Sequence, residues 1–186
     1  MIYLTADTHF SHSNILKYCN RPFQNVMEMD DYLIDQINKL VKPEDTLYHL
    51  GDFCFWDKRI DPKIYRERIK CRNIHLILGN HDYKNRTYYL NSGLFKTVGD
   101  MGRITYGDGS EVILCHYAMR VWHKSHHGVA HAYGHSHGTL KDDPCSRSMD
   151  VGVDNIPGYR PISYIEFWDK MRIKENNICV IDHHGA

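Results

Sequence analysis

Asp7 with His9, Asp52, the run Asn80-His81-Asp82, His116, and His135 with His137 each follow a short apolar stretch, at residues 2–4, 47–50, 74–78, 112–115 and 131–134. Carboxylates, imidazoles and an amide oxygen are ligands for first-row divalent ions such as Mn, Fe or Zn. If each stretch is a strand of an open α/β sheet, the polar groups that end it face one crevice, where residues remote in sequence converge. The spacing of two in Asp7/His9 and His135/His137 predicts two pairs of prongs, because alternate strand residues share a face. Seven or eight ligands exceed the needs of one ion. Two ions sharing Asp52 would use them, since a carboxylate has two oxygens and can bridge.

Three helices and a hairpin must position these groups. Asn25 followed by Glu28 forms a capping box, and Val26, Met29, Leu33, Ile37 and Leu40 recur at helical spacing until Pro43. Asp61-Pro62 predicts a second helix to about residue 70. Alternation of strand and helix favours a parallel α/β arrangement. Residues 101–106 and 111–116 flank Gly107-Asp108-Gly109-Ser110, a hairpin connection. Strands are expected at 131–135 and 148–153. Ser163 with Glu166 predicts a last helix with Ile165, Trp168 and Met171 on one side, and a short strand is expected after Asn176. No repeat, low-complexity segment or linker interrupts the chain, so the expectation is one domain over residues 1–186, built from two packed sheets with helices outside.

Composition narrows the function classes. The 186 residues carry 23 basic and 23 acidic side chains, without the basic footprint of a binder of long nucleic acid. A small phosphorylated substrate remains compatible, because two divalent ions against about two ligand carboxylates leave the site locally positive by roughly two charges. Six cysteines, at 19, 54, 71, 115, 145 and 179, form no Cys-x-x-Cys pair. They are expected to be reduced and mostly core residues of a cytoplasmic protein. The first strand begins at Ile2, leaving no room for a signal sequence, and no apolar run reaches the roughly 18 residues that span a bilayer. Fourteen histidines are many for this length. A histidine-rich metal carrier would explain surface imidazoles, including those of the tail at residues 182–186, but not Asp52, Asn80 and Asp82.

Together, Asp7-Thr8-His9, Gly51-Asp52, Gly79-Asn80-His81-Asp82, His116 and Gly134-His135-Ser136-His137 resemble the calcineurin-like metallophosphoesterase superfamily, over about residues 1–155. The resemblance implies a four-layer α/β/β/α sandwich of two mixed sheets flanked by helices, with a dinuclear metal site. Asp7, His9 and His137 would hold the first ion, Asn80, His116 and His135 the second, and Asp52 both. Mn is the favoured metal, with Fe, Zn, Co or Ni as alternatives. Such a pair clamps a phosphoryl group while a water between the ions loses a proton near neutral pH and attacks. By the same analogy His81 stabilises the transition state or protonates the leaving oxygen, with Asp82 orienting its ring or raising its pKa. Gly51, Gly79 and Gly134 fit backbone that turns sharply and passes close to the site.

Protein Ser/Thr phosphatases of this kind carry Asp then Arg after the bridging residue and Glu after the motif His. This chain has Phe55, Trp56, Asp57 and Asp82 in that region, and it lacks the length for the capping domain of repair nucleases. The closer likeness is to small single-domain bacterial and phage-type phosphoesterases, carried by Asp7-Thr8-His9-Phe10-Ser11-His12, Asn14-Ile15, Arg21-Pro22-Phe23, Gly51-Asp52-Phe53 and His116-Tyr117-Ala118-Met119-Arg120. Those relatives more often have Pro at the position of Ala118. The resulting expectation is a metal-dependent phosphodiesterase of small nucleotides or other diesters. A phosphomonoesterase, a short-strand nuclease and a non-catalytic scaffold of the same fold are the alternatives. His12, Arg21 and Arg120 are candidate substrate contacts, residues 120–127 a candidate lid, and Phe53, Phe55 and Trp56 candidates for stacking a base. Cys54 is expected to be a packing residue.

Overall fold

The computed structural model describes residues 1–55 and 60–176. A five-stranded sheet has the order β4-β3-β2-β1-β9, formed by Ile2–Thr5 (β1), Thr46–His49 (β2), Asn73–Ile77 (β3), Thr97–Gly99 (β4) and Ile162–Ser163 (β9). Strands β1 to β4 are parallel and β9 runs antiparallel at the edge. The second sheet has the order β5-β6-β7-β8, from Met101–Thr105 (β5), Glu111–Cys115 (β6), Ala130–Tyr133 (β7) and Ser148–Asp150 (β8). The β5–β6 hairpin is antiparallel, and β6, β7 and β8 are parallel. Each sheet is therefore mixed.

The apolar residues sort by face. Leu4, Leu50 and Ile77 of the first sheet meet Ile104, Val112, Leu114, Ala130 and Ala132 of the second in one buried core. Leu47, Ile74, Leu76 and Leu78 pack outward against Met29, Leu33, Ile34 and Ile37 of helix α2, Val26–Leu40. Asn25 caps α2 by accepting the Glu28 amide at 3.0 Å. Helices α3 (Lys63–Arg68) and α4 (Arg86–Asn91) contribute Tyr65 and Tyr89 to the same outer layer. Asp61 accepts the Lys63 amide, as the expected cap does, but the helix stops at Arg68 because Ile69 is already extended and buried.

The helical cover is uneven. Ile113 faces away from the central core and is covered by Trp122 and Val129 of the β6–β7 crossover. Helix α5, Tyr164–Met171, is capped by Ser163 through the Glu166 amide and packs into the core between the sheets. Its buried face is Tyr164, Phe167 and Met171, not the expected Ile165, Trp168 and Met171. Ile165 is 49% exposed. The face is set by the edge strand β9 and by the Tyr164 hydroxyl, which meets Ser110 at 2.9 Å. The short α1 (Ile15–Tyr18), β4 and β9 are too brief for periodicity to show.

Trp56, Asp57, Cys179, the expected final strand and the tail at 182–186 lie outside the described residues. Among the five described cysteines Cys54 and Cys71 are buried and Cys145 is exposed, so fewer are core residues than expected. No helix among the described residues is long and apolar enough to cross a membrane.

Candidate metal centre

The parallel strands end at one edge, and main-chain hydrogen bonds lace their exits together. Asp7 N donates to Gly51 O at 3.0 Å, His9 N to Asp52 O at 2.9 Å, Gly134 N to His116 O at 2.9 Å and Val153 N to Ala6 O at 3.1 Å. Five of the seven candidate ligands adopt left-handed backbone: Asp7 (φ 59°), His9 (49°), Asp52 (54°), His135 (67°) and His137 (48°). Such conformations cost about 1–3 kcal/mol each and persist where the surroundings enforce them. They also correct the expectation of strand prongs. The side chains are aimed by turns beyond the strand ends, and His135 and His137 diverge. His137 groups with Asp7 and His9, whereas His135 groups with Asp52 and His116, the ligand atoms of each trio lying within 4.8 Å of one another.

Asp52 joins the two trios. One of its oxygens, Oδ2, lies 3.5 Å from Nε2 of His9 and 3.5 Å from Nε2 of His116. Asn80 Oδ1 is 3.1 Å from the same His116 nitrogen. Nδ1 of His116 faces the Leu50 carbonyl at 2.7 Å and must donate to it. The neutral ring then presents a lone pair at Nε2 to two oxygens that are also acceptors, so a proton or a cation has to sit among them. In the other trio Asp7 Oδ1 and both ring nitrogens of His9 are buried without a hydrogen-bond partner. Leaving such groups unpaired costs about 1–3 kcal/mol each. The donor set therefore fits divalent ions, for which neutral imidazole and carboxylate are the binding forms.

Titration follows the same crowding. Burial pushes the Asp7 carboxyl up to about 7, against the pull of His116 and His137. Burial lowers His9 well below the ordinary imidazole value. Burial also opposes charge on His116 and His137, but the Asp52 carboxylate raises His116 to about 8 and the Asp154 carboxylate raises His137 to about 10. Asp52, despite burial, is held far below the carboxylate range by His116.

Glycine allows the packing. A Cβ on Gly79 would lie 2.1 Å from Asp52 Oδ1, and one on Gly51 would lie 2.5 Å from His116 Nδ1.

Two expected roles change. Asp82 does not serve the His81 ring: its oxygens accept the amides of Asp52 (2.7 Å), Gly79 (2.9 Å) and Phe53 (3.2 Å), so it fixes the turn that carries Asp52. Arg21 is no substrate contact. Its side chain is fully buried, and its donors go to Asp154 Oδ1 (2.8 Å) and Oδ2 (2.7 Å), Asp7 O (2.6 Å), Thr8 O (3.1 Å) and Met29 Sδ (3.2 Å). It pins the loop behind the site.

Asp154, not singled out in the sequence, accepts from His137 Nδ1 at 2.7 Å. A carboxylate behind a ligand imidazole fixes its tautomer and strengthens it as a donor. Its signal was present, since Asp154 follows β8 as the other acids follow their strands, but the segment was read as strand through Val153. Asp154→Asn is expected to weaken one manganese-binding step about 10- to 100-fold. A calorimetric Mn titration alongside thermal unfolding checks this; two unchanged binding steps would return Asp154 to a purely structural role.

The site opens into a cleft of about 700 Å³ lined by His9 and His137 of the first trio and Asp52 and His135 of the second, together with His12, Tyr18, Cys19, Phe55, His81, Ser136 and Thr139. His12 lies on its wall, stacked on Phe55 with ring centroids 4.2 Å apart. Burial, then the neighbouring His81 and Arg21, lower its pKa to about 4, so the ring is neutral near pH 7. Phe53 is fully buried in the core and cannot stack a base, and Cys54 is a packing residue there. Tyr117, also missed, sets its ring 5.0 Å from His116 and 4.9 Å from His135.

The candidate lid is displaced from the site. Arg120 lines a separate depression with Tyr133, Leu140 and Lys141. Lys124 and His127 lie beside Asp108–Glu111 at the opposite end of β6. Trp122 is buried and donates to Val129 O at 2.8 Å. A crossover between parallel strands must run back to the far edge of the sheet, which removes this segment from the metal end.

The calcineurin-like phosphoesterase sequence profile matches residues 1–185. An uncharacterized protein of Methanocaldococcus jannaschii is 35% identical over 169 residues, covering 87% of this chain and 86% of that protein. The crystal structure of a protein of unknown function from Aquifex aeolicus has the same fold, with a TM-score of 0.67 at 24% identity, over 92% of this chain and 98% of that one.

Proposed function

Because this chain belongs to the calcineurin-like phosphoesterase family, whose chemistry is metal-dependent phosphoester hydrolysis, we propose that it is a dinuclear phosphodiesterase of small nucleotides or similar diesters. The observation that carries the reading is the shared Asp52 oxygen, 3.5 Å from an imidazole nitrogen of each trio. Asp7, His9 and His137 would hold one ion, Asn80, His116 and His135 the other, and Asp52 both. The ions, when bound, supply charge to the phosphoryl oxygens and activate water for attack.

The chain's own residues do the rest. His81, on the cleft wall with its backbone amide on Asp52 Oδ1 at 2.9 Å, carries the proton for the leaving oxygen. Asp82 holds the Asp52 turn, and Asp154 with Arg21 orients His137. No Lys or Arg stands among the described residues lining the cleft. A diester carries one negative charge where a monoester carries up to two, so this cleft suits the diester better. Free thiols at Cys19, Cys54, Cys71 and Cys115 suit a reducing compartment such as the cytoplasm.

EDTA is expected to silence the enzyme, and Mn to restore it better than Mg, since imidazole ligands match transition metals and Mg prefers oxygen. Hydrolysis of bis-nitrophenyl phosphate should exceed that of the mono-ester. Full recovery with Mg alone would count against a histidine-rich pair of ions, and a faster mono-ester would make the protein a phosphomonoesterase.

A further inference from the structure

We infer that the leaving group of the substrate carries a planar aromatic ring, a nucleobase or an aryl group, which stacks on a wall formed by Tyr18, Phe55 and His12. This rests on the hydrolase reading above and specifies its substrate. A cleft of about 700 Å³ is far larger than one phosphoryl group needs and falls in the range of sites for whole small molecules.

The position of His81 orients the occupant. Its ring centroid lies 5.0 Å from that of His9, on the metal side, and 5.6 and 5.9 Å from those of His12 and Phe55. In the reaction the P–O bond to the leaving group breaks and a P–O bond to water's oxygen forms. The His81 proton passes to the leaving oxygen, and the proton lost by water goes to solvent, from which His81 is recharged. A group that departs beside His81 must lie along the rings that flank it.

That wall is built for a flat partner. His12 and Phe55 are parallel to within 8°, and Tyr18 stands edge-on to His12 at 6.2 Å. Tyr18 is 71% exposed on a one-turn helix, and Phe55 is 38% exposed, so neither ring is spent on the core. Aromatic faces accept any base, which suits a ring rather than a second phosphate in a cleft whose described lining has no Lys or Arg.

The test compares kcat/KM, with Mn, for a dinucleoside monophosphate and for glycerophosphoethanolamine, a diester with no ring. The wild type should favour the first by about tenfold or more, and Tyr18→Ser should shrink that ratio about tenfold. Tyr18→Phe should keep it. Because Tyr18 supports no core, the variants fold. A ratio unchanged in Tyr18→Ser, or a preference for the ringless diester, overturns the inference. Calorimetric binding of adenosine monophosphate against ribose 5-phosphate reads the wall without turnover. Discrimination that depends on Tyr18 in a protein that cleaves neither diester would defeat the hydrolase reading and leave the wall standing. Equal cleavage of both diesters with equal binding of both monophosphates would do the reverse.

Discussion

Asp52→Asn is expected to lower turnover by about three orders of magnitude or more at saturating Mn. The substitution keeps the shape and one acceptor oxygen but removes the charge and replaces the other oxygen with a donor. Oδ2 of Asp52 lies 3.5 Å from Nε2 of both His9 and His116, and Oδ1 accepts the His81 amide at 2.9 Å. Breaking a buried set of charges by removing one partner typically costs about 3–5 kcal/mol, and each 1.36 kcal/mol of lost transition-state stabilisation is tenfold in rate. Steady-state kinetics with metal analysis decide the matter: a variant that keeps half its activity would sink the shared-oxygen arrangement.

His81→Ala is expected to slow the reaction by about two to four orders of magnitude, the range for a positioned general acid, with metal content unchanged. Its ring is close enough to raise a rival role, since a ring nitrogen lies within 4.8 Å of ligand atoms of both Asp52 and His9. The ring is also partly open to the cleft, whereas His9 and His116 are buried, and that exposure is what a proton donor to substrate requires. Loss of one ion in the variant would make His81 a ligand. Unchanged metal with an unchanged rate would remove it from the chemistry.

Legibility varied with the length and regularity of each signal. Helix α2 was readable from Asn25, Glu28 and a fifteen-residue apolar periodicity. The hairpin was readable from Gly107-Asp108-Gly109-Ser110, and its strands pair from Thr105 with Glu111 to Met101 with Cys115, which leaves Tyr106 in the connection rather than in the strand. In α5 the cap at Ser163 was visible but the buried face was not, because eight residues offer more than one apolar stripe. Burial against β9 and Ser110 selects among them. The seven candidate ligands were legible because Asp, His and Asn at five strand ends is an unusual residue pattern. Arg21 was misread for the opposite reason: a guanidinium suits a phosphate and a buried carboxylate equally well, and only the fold reveals that Asp154, 133 residues away, takes it.

By itself the sequence determined the fold class, the strands that carry the chemistry, and the residue types able to hold divalent ions, because periodicity and ligand chemistry are local properties of the chain. The tertiary structure decided how the candidate ligands gather around Asp52, that turns rather than strand prongs aim them, that Asp82 and Arg21 brace the site, and that the loop at 120–127 leaves it. Each of these depends on backbone turned into the left-handed region and on partners brought from distant strands. Such turns and pairings arise only when two sheets close over a common core, and no spacing along the chain encodes them directly.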